Sequence, residues 1–242
     1  MLEDDTLVHA RLKTPKAAAL AGIAFSLLMF TIFGLLRRSI PADPLESGAR
    51  LTTDTKTIAL ALNLIPFAGV AFLWFIGVLR DRLGRQEDRF FATVFFGSAL
   101  LYLAMLFTAA ALIGAVMLLA STAEPNQLMN SATFRFARAV AYIVTNVYAT
   151  KTAAVFMIST STVVIYTGIA PRWIAFIGYL SASVLLIGSY YIGWSFAVLP
   201  VWVLLISVYI LVDNLRRHEK PDASLGQINE PYHAQRRGGC DG

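Results

Sequence analysis

The 242-residue sequence predicts an all-α polytopic membrane bundle of six transmembrane helices, both termini cytoplasmic, with helices 3 and 4 extended beyond the outer face as a hairpin. Three observations lead there. Hydrophobic residues make up 57% of the chain and charged residues only 14%, against about a quarter charged in soluble domains. The apolar residues gather in blocks of about 20 or more, the length a helix needs to cross a hydrocarbon core of about 30 Å. Lysines and arginines stand beside these blocks, as span orientation requires. The net charge of +5 is thereby assigned to topology. The expected partners are the lipid bilayer and, within it, a second copy or another membrane protein, not nucleic acid.

The first span covers 17–36, with Lys13 and Lys16 before it and Arg37 and Arg38 after it. It is too long for a signal-peptide core and lacks a small-x-small cleavage site, so it reads as an uncleaved anchor behind a cytoplasmic segment, 1–16. Span 2 covers 57–79 and contains Asn63 and Pro66. Spans 3 (90–120) and 4 (134–169) are longer than a bilayer demands. After Pro171 there is room for two more, 173–190 and 194–213, turning in "SYYIGW" at 189–194, whose small and amphipathic aromatic residues suit an interface. The transmembrane domain thus runs from 17 to 215. The polar stretch 216–242, with Pro221 and Pro231, reads as a disordered cytoplasmic tail.

Orientation follows from the cations. The loop "RDRLGRQEDR" at 80–89 carries four arginines and belongs inside. With six spans the inner segments then hold thirteen of the 20 lysines and arginines, the outer segments six (Arg37, Arg38, Arg50, Lys56, Arg135, Arg138), and Lys151 is the one left within a span. The excess supports both termini inside, and the expected location is the plasma (inner) membrane.

Span 3 as one helix measures about 46 Å, well beyond the roughly 30 Å core. Its partner changes character along its length. Phe134, Ala137, Ala141, Val144 and Tyr148 recur at three- and four-residue steps, opposite Arg135, Arg138, Tyr142, Thr145 and Asn146. That is an amphipathic helix. Beyond Thr152 the helix is apolar almost all round. The economical account is a hairpin rising on the outer side and turning in "STAEPNQLMN" at 121–130, where Pro125 and Asn126 break the helix. Two other placements of 134–148 stay open, flat in the interface or lining a pore.

Lys151 sits where the amphipathic half meets the apolar half. Its four-carbon stem can carry the ammonium to the headgroups. A buried role would need an acidic partner, and no Asp or Glu lies deep in a span. Asn63 precedes Pro66, which frees a backbone carbonyl that an asparagine can satisfy. The hydroxyls of "ISTSTVV" (158–164) are expected to bond their own helix. Small pairs at four-residue spacing, Ala18/Gly22, Ala110/Gly114, Ala111/Ala115 and Gly178/Ala182, allow close helix approach.

Catalytic equipment is missing from the sequence. His9, His218 and His233 lie in the polar termini, Cys240 is the one cysteine, and there is no HExxH motif, Walker loop or glycine fingerprint. No cofactor or metal is expected. The reading is a non-enzymatic membrane component acting through contacts. Its rival is a small transporter or channel with a polar path near Asn63, Tyr142, Asn146 and Lys151.

"GVLRDRLGRQ" at 77–86 resembles the G-x-x-x-D-R-x-G-R-[RK] loop of major facilitator transporters. The resemblance implies that Gly77 permits close helix packing and that Asp81, Arg82, Gly84 and Arg85 form a cytoplasmic latch between helix ends. Gln86 replaces the final basic residue, and six spans are half that family's twelve. More broadly, "LNLIPFAGVAFLWFIGVLRDRLG…EDRFFATVFFGSALLYLAMLF" is similar to uncharacterised bacterial multi-pass membrane proteins, which implies a membrane location and no activity.

Overall fold

The computed structural model describes residues 4–39, 54–83, 89–122, 131–168, 170–188 and 194–218, and every regular element among them is helical. The elements are α1 (Asp4–Ser39), α2 (Thr55–Leu83), α3 (Arg89–Thr122), α4 (Ala132–Ile143), a π-helical segment (Val144–Ala149), α5 (Thr150–Thr167), α6 (Arg172–Gly188), a 3-10 turn (Ser195–Ala197) and α7 (Val198–His218). Ile143 and Thr150 keep right-handed helical dihedrals on either side of the π segment, so α4, the π turn and α5 form one continuous rod.

Among the described residues five stretches are long and apolar enough to cross a membrane: Ala17–Ser39, Thr55–Arg80, Ala92–Leu119, Ala132–Tyr166 and Ser195–Arg216. The apolar α6 has 17 residues, about 25 Å, the lower end of spanning length. These helices make the chain an integral, multi-pass membrane protein. Their ends fall close to the expected spans. One difference is α1, which extends back to Asp4 through much of the stretch read as a separate segment. Another is Asn63, whose side-chain amide donates to the Ala59 carbonyl at 2.9 Å. The carbonyl that Pro66 releases is that of Leu62, so the asparagine reinforces the turn before the proline. The expected tail beyond 218 lies outside the described residues.

Side-chain register shows how the rods run. Phe25 of α1 meets Phe72 of α2 with ring centroids 4.6 Å apart, while Gly22 lies against both Phe75 of α2 and Ser207 of α7. Phe33 of α1 meets Phe196, just before α7, at 4.4 Å. Both α2 and α7 are therefore antiparallel to α1. Down α2 and up α3, Arg80 lies over the Phe96 ring, Phe72 meets Tyr102, Gly69 abuts Phe107 and Leu62 approaches Gly114. The α3 helix packs along α4, the π segment and α5 in turn, which is the pairing expected of the two over-long helices. Gly168, at φ +63°, ends α5 with its N–H on the Val164 carbonyl, a left-handed cap that glycine adopts without steric cost. Beyond it α6 returns, its Tyr179 hydroxyl 2.7 Å from that of Thr162.

Neighbouring rods thus alternate in direction. One end of the bundle, the base, holds the start of α1 and the ends of α2, α5 and α7. The opposite end, the crown, holds Ser39, Thr55, Ala132 and Ser195.

Two clusters hold the rods. The larger centres on buried Phe25, Phe72, Phe75, Phe95, Tyr102 and Phe156, in tilted and edge-to-face contacts such as Phe72–Phe156 at 5.2 Å. Aromatic quadrupoles favour such geometry over face-to-face stacking. The smaller, at the crown, joins Ile58, Val116 and Phe134, with Leu36, Leu62, Ile113, Met117 and Ala137 packed around them.

Candidate functional site

The polar run "TNVYATKT", 145–152, falls on the π segment and the first turn of α5. Inserting a π turn displaces carbonyls from their usual donors, and the side chains here point back to take them. Thr145 donates to Ala141 O at 2.9 Å, Asn146 to Tyr142 O at 3.1 Å, and Thr150 to Thr145 O at 3.1 Å, a five-residue reach that matches the π repeat. Thr152 lies within hydrogen-bond distance of the Tyr148 and Ala149 carbonyls. A run of short hydroxyl and amide side chains explains why the wide turn is tolerated at this place.

Against this turn lies a small cavity of about 10 Å³, lined by Phe33, Tyr102, Leu106, Thr145, Ala149, Thr150, Ala153, Ser195, Phe196 and Leu199. That is room for about one water molecule. Ser195 is 1% exposed and its hydroxyl has no hydrogen-bond partner. The described lining is almost wholly apolar, interrupted by the side chains of Tyr102, Thr145, Thr150 and Ser195, and includes no charged residue. Chemically it can hold water and little else.

The positions singled out from sequence do not converge there. Asn63 and Pro66 are exposed on α2. Tyr142 and Asn146 are half-buried, Lys151 is exposed on α5, and none of these five lines the cavity. Arg135 is exposed at the crown, and the half-buried Arg138 places its guanidinium 5.8 Å from the centroid of the Phe134 ring. Gly77 is exposed, and a Cβ added to it would meet open space, so the close packing that the loop resemblance implies is not made at this glycine. Asp81 and Arg82 lie on the last turn of α2, where only the backbone is described, while Gly84 and Arg85 fall outside the described residues.

The hydroxyls of 158–164 behave largely as expected, with Ser159, Thr160 and Thr162 each donating to the carbonyl one turn back. Ser161 instead has no partner and lies against Gly178 of α6. Among the described residues no lysine, arginine or carboxylate side chain is buried, and no group of three His, Cys, Asp or Glu gathers to hold a metal. Sequence reasoning missed Tyr102, Thr150 and Ser195. Thr150 was visible in the hydroxyl run, whereas Tyr102 and Ser195 come from distant segments and carry no local signal.

Comparisons with protein-family models, with curated proteins and with solved structures found no match.

Proposed function

We propose that the protein is a non-enzymatic membrane component that acts through helix–helix contacts within the bilayer, made by the outer face of α3 with a second copy of the chain. The observation that supports this is a repeat on that face. Gly97, Leu101, Ala104, Thr108, Ala111, Ala115 and Leu118 follow one another at alternating steps of four and three, and all are exposed. Of the five long apolar stretches, the one on α3 has the smallest buried share, 28%. A seam of this period follows a left-handed crossing of two helices. Small residues along it let the backbones come close, which is where packing energy between helices in lipid arises. The other small pairs are used internally: Ala18, Gly22, Gly178 and Ala182 are buried in the bundle.

The placement in lipid follows from exposed aromatic residues. Tyr148 and Trp194 stand toward the crown, Tyr166 and Trp173 toward the base, and all four are exposed. Tyr148 and Tyr166 are 18 residues apart on one rod, about 27 Å, close to a hydrocarbon core of about 30 Å. Interfacial belts of Tyr and Trp take such positions. Lys151 then lies within one turn of the crown-side belt, where its stem reaches headgroups. The α4 helix and the end of α3 stand beyond that belt, on the outer side if the base is cytoplasmic.

The test is disulfide cross-linking of the full chain in membranes, with Cys240 replaced by serine. Cysteines at Ala104 or Ala111 are expected to give dimers on mild oxidation, and cysteines at buried Ala68 or Ala154 are not. A bulky side chain on the same seam, Ala111→Phe, is expected to shift the protein toward monomer in mild detergent. Equal cross-linking at lipid-facing Leu180 of α6 would defeat the proposal.

The π segment favours a second reading, a small transporter or channel, because π turns recur at working sites and this one borders a small cavity whose lining includes Thr145, Thr150 and Ser195. A continuous aqueous path would let a membrane-impermeant thiol reagent reach a cysteine at Ala153 from the crown side. The burial of Ala153 and of the aromatic hub below it leads us to expect no labelling there.

A further inference from the structure

Among the described residues, buried polar side-chain atoms of Ser39, Ser161, Ser195, Trp202 and Ser207 make no hydrogen bond. Within a membrane protein such atoms carry a cost that surrounding hydrocarbon does not relieve. Close packing accounts for two of them. Ser161 and Ser207 press into the notches at Gly178 and Gly22, where a Cβ would overlap their hydroxyls. Ser195 differs. It is 1% exposed, and alone among the five it lines the cavity beside the π segment.

That cavity collects hydroxyl groups from separate parts of the fold. Ser195 stands on the 3-10 turn before α7, Tyr102 on α3, Thr145 in the π segment and Thr150 at the start of α5. The two threonine hydroxyls donate to Ala141 O and Thr145 O, and each oxygen keeps lone pairs with which to accept. The Ser195 and Tyr102 hydroxyls can donate. A water needs two to four polar partners, and the volume of about 10 Å³ admits one water. Tyr148 of the crown-side belt lies between Thr145 and Ala149 in sequence, so the site is at the depth where headgroups and their water begin.

We propose that one ordered water molecule resides in this cavity, accepting from the Ser195 hydroxyl and donating to the threonine oxygens, and that it ties the start of α7 to the π turn. Direct contacts are sparse at this junction. The α7 helix rests chiefly on α1, and the 3-10 turn before it meets the π segment. A bridging water supplies hydrogen bonds there that side chains alone do not make.

X-ray hydroxyl-radical footprinting of the full chain in lipid nanodiscs tests this, because radicals formed at a bound water oxidise the side chains beside it. Tyr102 is 4% exposed. Corrected for intrinsic reactivity, it is expected to be oxidised several-fold faster than Phe72 and Phe156, which are buried away from the cavity. Ser195→Ala is expected to bring Tyr102 down to the rate of those rings, and Ser161→Ala to leave it unchanged. Thermal unfolding supplies a sign. Removing a hydroxyl that has no partner stabilises a protein, whereas removing one bonded to water destabilises it. Ser195→Ala is expected to lower the melting temperature, by about 2–4 °C for one hydrogen bond in a chain of this length. The proposal is overturned if Tyr102 reacts no faster than the two rings, if Ser195→Ala leaves its rate unchanged, or if that variant melts at a higher temperature. The comparison within the unmodified chain decides even if Ser195→Ala does not fold.

Discussion

Gly22 shows how much a single atom decides in this bundle. A Cβ at this position would overlap the Ser207 hydroxyl and come within 2.9 Å of the Phe75 ring, so α1, α2 and α7 close on one another only because it is absent. Overpacking of that kind costs about 1–3 kcal/mol. Gly22→Ala is expected to destabilise the protein by that amount in reversible unfolding from bicelles, and adding Ser207→Ala is expected to recover part of the loss. Purely additive effects in this double-mutant cycle would mean that the two positions do not touch. The small pair Ala18/Gly22 was legible in the sequence, but its partner was not, because Ser207 lies 185 residues further on. Lys151 is the opposite case. It is exposed on α5, and it is its neighbour Thr150, unremarkable in sequence, that supports the π turn.

At the scale of the element, the rod from Ala132 to Thr167 has two halves held differently. The lower half is buried among α3, α6 and the aromatic hub, whereas α4 is tied to the crown through Phe134, which is 1% exposed. Phe134→Ala is expected to loosen α4 while leaving the spans in place, because local opening draws on the least buried contacts. A cysteine at half-buried Ala137, in a chain lacking Cys240, should then react several-fold faster with a thiol reagent, with little change in overall stability. An unchanged rate would show that α4 is held by some other contact. The three- and four-residue steps from Phe134 to Tyr148 announced this amphipathic half plainly. The π turn inside it was not announced, since widening one turn by a single residue leaves the hydrophobic pattern almost intact.

For the molecule as a whole, the aromatic hub is the point where four rods meet. Phe72 touches Phe25, Phe75, Tyr102 and Phe156. In lipid the transfer part of its contribution is small, because a separated helix would still face hydrocarbon. What Phe72→Ala loses is packing, and a cavity of roughly 100 Å³ corresponds to about 2 kcal/mol. That loss is expected in unfolding measured within bilayers, with the secondary structure retained in circular dichroism. A loss below about 0.5 kcal/mol would mean that the rods repack around the gap.

The all-helical, apolar character of the chain and the hairpin pairing of α3 with the α4–α5 rod were determined by the sequence alone. Span length and helical period are properties of contiguous residues, and the bilayer imposes both. Which faces turn inward was decided by tertiary structure. A span apolar all round carries no mark distinguishing its lipid side from its protein side, because lipid tails and leucine side chains are equally acceptable neighbours. Only packing could show that Gly22 and Gly178 face the bundle while Ala111 and Ala115 face out.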